Sequence, residues 1–172
     1  MKIYVCTYNV CVYICTPIQE AMAIEQDIQQ KKQFKSAYQR MVVNIVYTAN
    51  WLNSQLSEQI KPYDLSVQQF NVLRILRGQH PEPVTVNAII ERMLDKQSNA
   101  SRLVDKLLAK ELVVRRVCPA DRRAVDVVIT AKGLEVLEAI DQLQDQMEAR
   151  FTNLSEDEAT QLSILLDKMR DS

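Results

Sequence analysis

Apolar side chains recur at steps of three and four along most of the chain, which predicts a helix-rich protein. The longest run, over residues 34 to 60, predicts an amphipathic helix. It should end before Pro62, because proline disfavours helical geometry in the residue before it. A second helix should begin at Ser66, which can form a capping box with Gln69, and end near Gly78.

The central part of the chain predicts a short strand and two further helices. Residues 84 to 86 are β-branched and predict the strand, and Asn87 should cap a helix over residues 87 to 93. The next helix lies near residues 96 to 110, and Asp95 can cap it. Its apolar positions follow a core-facing stripe: Ala100, Leu103, Val104, Leu107 and Leu108.

Two β-rich runs, residues 112 to 117 and 125 to 130, enclose a connection that contains proline and aspartate, so they predict a hairpin. A long helix should open at Thr130. The last helix should begin at a second capping box, formed by Ser155 and Glu158. Its apolar residues are expected to face inward: Leu162, Leu165, Leu166 and Met169.

Composition and charge narrow the class of protein. A chain of 172 residues, 47% hydrophobic and 25% charged, fits one globular domain. The net charge of −1 gives no sign of a polyanionic partner, yet residues 92 to 132 hold ten basic and five acidic side chains, a local charge of +5. A phosphate-facing surface produces such an asymmetry, although a merely solvated face can produce it too.

Candidate reactive residues are few. Cys6, Cys11, Cys15 and Cys118 show no Cys-x-x-Cys spacing, and His80 is the sole histidine, so neither a disulfide framework nor a metal site is indicated. The sequence also lacks a recognisable nucleophile with its base and a phosphate-binding glycine loop. We therefore expect a protein that is not an enzyme and has no cofactor.

The first 22 residues differ from the remainder of the chain. Residues 1 to 18 are apolar and β-branched, but this run is shorter than the ~20 residues of a membrane span and lacks a signal-peptide cleavage site. We expect residues 1 to 22 to form an extension outside the domain, with Met22 as an alternative start. The protein is expected to be cytoplasmic, with no membrane partner.

Two helices followed by a basic hairpin predict a winged helix-turn-helix: mainly α, with a small β-hairpin wing. Arg122 and Arg123 at the hairpin tip suit phosphate and the minor groove, and Asp121 should shape the turn. Arg115 and Arg116 alternate on a strand, so at most one faces DNA and the other lies on a salt-bridged surface. A second set of DNA contacts is expected from the major-groove helix: Lys96, Gln97, Ser98, Asn99, Ser101, Arg102 and Lys106.

The sequence resembles the multiple antibiotic resistance regulator (MarR) family over roughly residues 34 to 170. The resemblance is carried by residues 101 to 107, 121 to 123 and 127 to 133, which look like that family's recognition-helix and wing patterns in the right order. Arg123 matches the family's minor-groove arginine. One departure is Glu111, where the family commonly has glycine, so the turn after the reading helix must form without glycine's conformational freedom.

The resemblance implies a homodimer. Residues 34 to 62 and 134 to 172 would form its dimerisation helices, and residues 66 to 133 its DNA-binding region. It also implies a ligand-responsive regulator, expected to act as a repressor, that binds a pseudo-palindromic operator in double-stranded DNA. A small effector, unidentified from the sequence, would release the DNA.

Three alternatives remain open at this point. Tyr47 and Trp51, one helical turn apart, can line an effector pocket or pack in the core. Cys118 lies near the wing and is either a redox sensor or an inert thiol. The winged helix could also be a protein-protein interaction module. A steep loss of binding with salt would distinguish DNA from a protein partner.

Overall fold

A computed structural model describes residues 24–117, 125–148, 151 and 153–171. Its elements form two compact units, one ending at Trp51 and the other beginning at Leu52. The elements are, in chain order, α1 (Ile24–Asp27), α2 (Ala37–Ile60), a 3-10 turn (Lys61–Tyr63), α3 (Val67–Arg77), β1 (Val84–Thr85), α4 (Val86–Arg92), α5 (Ala100–Ala109), β2 (Val113–Val117), β3 (Val125–Ile129), α6 (Ala131–Glu148) and α7 (Glu156–Arg170).

The first unit holds α1 and the first part of α2. Arg40 on α2 donates two hydrogen bonds to Glu25 on α1, at 2.7 and 3.2 Å. This paired geometry lowers the pKa of Glu25, chiefly through the side-chain hydrogen bond from Arg40. The four-residue α1 is thereby tied to α2 by a two-pronged ion pair.

The three strands form one antiparallel sheet in the order β1-β3-β2. Strand β3 lies in the centre, where Val127 faces Val84 on one side and Arg115 on the other. Pairing between β2 and β3 runs from Val113 opposite Ile129 to Val117 opposite Val125. The wing is therefore a hairpin anchored by a third, two-residue strand.

The core of the second unit lies between the helices and the sheet. Helix α5 contributes the apolar side chains Ala100, Val104 and Leu107 to this core. Fully burying a leucine or valine side chain stabilises a fold by roughly 1.5–3 kcal/mol. Arg77 on α3 also pairs with Asp141 on α6, with a second contact from Arg74 at 3.5 Å. These ion pairs join α3 to α6 at the edge of the core. The largest fully buried side chains include Ile60, Leu73, Leu76, Ile89, Leu107, Leu137 and Ile140.

Helix α5 ends in a Schellman-type turn with Glu111 in the left-handed region at a φ of 62°. The Leu112 N–H donates to the Leu107 carbonyl and the Glu111 N–H to the Leu108 carbonyl, at 3.1 and 2.9 Å. The turn therefore forms with glutamate where glycine usually stands, as the sequence required. By contrast, Gly78 has a φ of −65° and makes no use of glycine's freedom.

Both capping boxes predicted from the sequence are present, Ser66 with Gln69 and Ser155 with Glu158. Two other predicted caps are wrong. Helix α4 is capped by Thr85 and not by Asn87, because the helix begins directly after β1 and the Thr85 hydroxyl accepts from the Ala88 N–H at 3.2 Å.

The N-cap of α5 is the second correction. Asn99 caps the helix by accepting from the Arg102 N–H at 3.0 Å, whereas Asp95 closes the turn that precedes it. The helix begins later than the sequence pattern predicted, because residues 96 to 98 form that turn. An aspartate four residues earlier lies too far back to reach the first free N–H groups.

The inward orientation expected for the last helix is also wrong within the described chain. Leu165 on α7 is 63% exposed, Leu162 and Met169 are also exposed, and α7 buries no residue. A regular three-and-four spacing identifies an apolar face but not what covers it. Among the residues described, no helix is long and apolar enough to cross a membrane.

Candidate nucleic-acid interface

Helices α4 and α5 are joined by residues 93 to 99 and form the helix-turn-helix. Met93 is buried, and the Leu94 N–H donates to the Asn71 side chain on α3 at 3.1 Å. The Met93 N–H bonds back to the Ile89 carbonyl at 3.0 Å. The start of the turn is therefore fixed to α3 and α4 before the chain reaches α5, the candidate reading helix.

Asp95 organises the second half of this turn. Its two carboxylate oxygens accept from the Ser98 hydroxyl at 2.7 Å and from the Gln97 N–H at 3.0 Å. These bonds, with that from Ser98 the larger effect, lower the pKa of Asp95 below its ordinary value. Because the bonded form is the carboxylate, the turn is held by a negative charge close to the start of α5.

The outer face of α5 carries three of the predicted DNA contacts. Ser101, Arg102 and Lys106 are exposed, while Val104 and Leu107 on the reverse side are fully buried. A hydroxyl, a guanidinium and an ammonium group therefore project together from a helix whose other side is locked into the core. Such a helix can enter a major groove, which is about 12 Å wide.

The other four predicted contacts lie before α5 and are partly engaged within the chain. Ser98 donates to Asp95, and the Asn99 amide oxygen is used by the N-cap. Lys96 donates to the Glu91 carbonyl. Gln97 is exposed at the turn. Ser98 and Asn99 therefore shape the helix start, a role that the residue types alone did not separate from base contact.

Within the described chain, three ion pairs surround α5, the candidate reading helix, and sequence reasoning named the partners of none of them. Asp105 on α5 accepts from Arg115 on β2 at 2.6 Å, and beyond the helix Lys110 pairs with Asp64 at 2.9 Å. Lys132 pairs with Glu111 at 3.1 Å and also donates to the Lys110 carbonyl at 3.0 Å. The alternation of charge along the chain could not reveal these partners, because each pair joins different elements.

The sequence predicts that one of the two neighbouring strand arginines lies on a salt-bridged surface, and this is confirmed. Arg115 is paired with Asp105, on the side of the hairpin that faces α5. Arg116 lies on the other face of the sheet, opposite Asp126 in the β2-β3 register. Arg115 therefore links the wing to the reading helix.

The predicted wing-tip residues lie outside the described residues: Asp121, Arg122, Arg123 and Cys118. The hairpin that carries them is described up to its last pair, Val117 opposite Val125. The N-terminal extension, residues 1 to 22, also lies outside the described part of the chain.

The predicted aromatic pair Tyr47 and Trp51 lies in the first unit. Both side chains line an open cleft of about 270 Å³ together with Asp27, Asn44 and Thr48. Tyr47 is 41% and Trp51 42% exposed, so within the described chain neither is a core residue. In the same described part, no group of three histidine, cysteine or acidic side chains could hold a metal ion.

Comparison of the sequence with known proteins agrees with this geometry. The family model for the MarR family matches residues 63–124. The chain is 32% identical to the HTH-type transcriptional regulator MhqR of Bacillus subtilis over 89 residues, which are 52% of this chain and 60% of MhqR. It is also 32% identical to the multiple antibiotic resistance protein MarR of Escherichia coli over 117 residues, 66% of this chain and 79% of that protein.

Solved structures share the fold. A MarR-like transcription regulator from Bacillus cereus superposes with a TM-score of 0.68 at 26% identity, covering 77% of this chain and 95% of that one. A mutant of E. coli MarR complexed with operator DNA gives 0.64 at 29% identity, covering 73% and 91%. Bordetella bronchiseptica BpsR, whose DNA binding is regulated by 6-hydroxynicotinic acid, gives 0.64 at 26% identity, covering 76% and 99%. With its winged helix-turn-helix fold and these relatives, the chain belongs to the MarR family of transcription regulators.

Proposed function

We propose that this protein is a homodimeric, ligand-responsive repressor that binds a pseudo-palindromic operator in double-stranded DNA. The observation that carries the proposal is the outer face of α5, where Ser101, Arg102 and Lys106 are exposed on a helix held from behind by the core. The E. coli relative solved with operator DNA supports DNA as the partner. Residues 66 to 133 are the proposed DNA-binding region.

Each proposed DNA contact has a chemical role. Arg102 offers a planar fork of donors that matches the edge of a guanine, and Ser101 is short enough to let the helix come close to the bases. Lys106 is suited to phosphate, where a point charge is sufficient. Arg123 is proposed for the minor groove and Arg122 for phosphate, with the wing held beside α5 by the Arg115–Asp105 pair.

Exposed apolar side chains support the homodimer. On α7, Leu162, Leu165 and Met169 lie on one face and are exposed, although an isolated helix of this length is marginal in water. On α2, Val42 and Val46 are about half exposed. Residues 34 to 62 and 134 to 172 are therefore the proposed dimerisation segments, in which a second copy of the chain covers these positions.

The experiment for DNA binding begins with genomic fragments from the host, which are mixed with the purified protein and sequenced after retention. We expect one enriched palindrome with half-sites about one helical turn apart, ~10 base pairs centre to centre. Retention without an enriched palindrome would refute sequence-specific binding. Retention that does not fall as the salt concentration is raised, and that ignores duplex sequence, would instead favour a protein partner, because counterion release makes DNA binding steeply salt-dependent.

Variants then test the reading face. Arg102→Ala should weaken binding to the enriched site by about fivefold or more, since a bidentate base contact contributes ~1–3 kcal/mol. Lys31→Ala removes an exposed cation from the first unit and is the matched control. Equal affinities for the two variants in fluorescence anisotropy would contradict the role of Arg102. Arg123→Ala should also weaken binding, with little loss of folding stability.

The dimer is tested on α7. Leu165→Glu places a charge on the exposed apolar face, so it should shift the mass measured by light scattering from two chains toward one and weaken operator binding in parallel. Ser163→Glu adds the same charge at an exposed polar position on the other side of the helix and should leave the mass unchanged. A dimer that survives Leu165→Glu would exclude this face from the interface.

A further inference from the structure

The cleft in the first unit has the composition of a binding site for a small organic cation. Among the described residues, its lining combines one carboxylate, two aromatic rings, an amide and a hydroxyl: Asp27, Tyr47, Trp51, Asn44 and Thr48. Its volume of about 270 Å³ lies just below the ~300–1,000 Å³ of sites for drug-sized molecules. A ligand with a single ring and a short side chain is therefore a suitable size.

The charge of the lining selects the ligand class. Asp27 is the single charged residue among the described lining side chains, and it is acidic. The nearest cation along α2, Arg40, lies one turn before Asn44 and is bonded through two donors to Glu25. An anionic ligand would meet the Asp27 carboxylate with no opposing cation in the described lining, whereas a cation gains an ion partner.

The aromatic side chains add a second attraction for a cation. Tyr47 and Trp51 are one helical turn apart on α2 and are each about two-fifths exposed, so a ligand can reach them. The faces of tryptophan and tyrosine rings attract ammonium groups, and tryptophan does so most strongly. Carboxylate and aromatic groups on one cleft are how proteins recognise protonated amines and quaternary ammonium groups.

We propose that this cleft binds a small aromatic ammonium compound, with Asp27 as the counter-ion and Tyr47 and Trp51 as the aromatic walls. This assignment rests on the proposed ligand-responsive function and names the class of its effector. Thr48 donates to the Asn44 side chain at 3.4 Å, so the two polar groups are ordered on one side of the cleft. They can bond to a polar substituent on the ligand.

The experiment uses the full chain and its own reporter, because Trp51 is the only tryptophan in the sequence. Benzyltrimethylammonium, the neutral benzyl alcohol and the anionic phenylacetate are titrated while Trp51 fluorescence is recorded. We expect a saturable change with the cation at a concentration about tenfold below that for benzyl alcohol, and the weakest binding with phenylacetate. Equal or tighter binding of phenylacetate would overturn the proposal.

Substitutions assign the binding to the cleft. Asp27→Asn keeps the shape and removes the charge, so it should weaken the cation about threefold to fivefold and leave benzyl alcohol unchanged. Asp171→Asn, an exposed carboxamide substitution after α7, is the control and should change neither. If Asp27→Asn and Asp171→Asn bind the cation equally, Asp27 is not the counter-ion and the proposal fails.

A separate measurement distinguishes this site from the proposed repressor function. Anisotropy of labelled operator DNA is followed as benzyltrimethylammonium is added. Binding to Trp51 without release of DNA would support the cation site and contradict the ligand-responsive part of the proposed function. Release of DNA that is unaffected by Asp27→Asn, with no change in Trp51 fluorescence, would overturn the cation site and leave a ligand-responsive regulator.

Discussion

The chain has two glycines, and the structure predicts opposite effects for replacing them with alanine. Gly133 lies in the first turn of α6, where an added Cβ would come within 2.4 Å of the Leu112 carbonyl oxygen and 2.7 Å of an Ile129 side-chain carbon. Gly78 ends α3, where an added Cβ would find its nearest neighbours at 3.6 Å, an ordinary contact distance. Gly133→Ala should therefore destabilise the protein and Gly78→Ala should stabilise it.

The size of the stability change at each glycine follows from the atoms that an added Cβ would contact. The Leu112 carbonyl accepts from the Thr130 N–H at 3.0 Å, so it cannot turn aside without breaking that bond. Overpacking of this kind costs ~1–3 kcal/mol, which exceeds the gain of at most ~1 kcal/mol from placing alanine in a helix. At Gly78 the φ of −65° already suits alanine, and the reduced freedom of the unfolded chain contributes about 0.4–1 kcal/mol.

Thermal unfolding followed by circular dichroism at one fixed protein concentration tests both. We expect the midpoint to fall by about 2–10 °C for Gly133→Ala and to rise by about 1–4 °C for Gly78→Ala, since 1 kcal/mol corresponds to ~2–4 °C at this chain length. A midpoint for Gly133→Ala at or above that of the wild type would refute the argument that the start of α6 lies against Leu112 and Ile129 at a distance only glycine permits.

Three further predictions concern the surroundings of α5 and the core. Glu111→Gly should be about 0.5–1 kcal/mol more stable than Glu111→Ala in urea unfolding, because both lose the Lys132 pair while only glycine relieves the left-handed φ; equal stabilities would contradict this. The pKa of Asp95 is lower in the folded protein than in the unfolded chain. The Asp95 carboxylate therefore stabilises the fold above its unfolded pKa, and this stabilisation is lost as the pH falls through its folded pKa. The difference in unfolding midpoint between wild type and Asp95→Asn should therefore shrink from about pH 6 to about pH 3, and a constant difference would contradict it. Arg77→Lys should lower the free energy of unfolding by at most about 1 kcal/mol, since the pair with Asp141 is one third exposed; a larger loss in urea unfolding would show a stronger pair than exposure implies.

Local sequence patterns predicted the elements of the fold well. The three-and-four spacing of α5 and the two capping boxes concern residues within one or two turns of each other, and the structure confirms them. The local pattern predicts Asn87 as the cap of α4, and this is wrong because Thr85 both ends β1 and caps the helix. That double role depends on where β1 pairs with β3, which the local pattern does not contain.

The candidate reading face was partly predictable for the same reason. The outward position of Ser101, Arg102 and Lys106 follows from the helical period alone, because the apolar stripe sets the opposite face. The internal use of Ser98 depends on the bend of the turn around Asp95, so only the folded chain separates it from the exposed contacts.

By itself, the sequence determined the order of helices and strands, the inward stripe of α5, and the two capping boxes. These depend on the spacing of near neighbours, which the chain carries wherever it folds. Only the tertiary structure decided that Arg115 pairs with Asp105, that Asp27 lies on the same cleft as Trp51, and that α7 exposes its leucines. Such relations join elements that are distant in sequence or leave a face uncovered, and they arise only when packing brings the elements to their places.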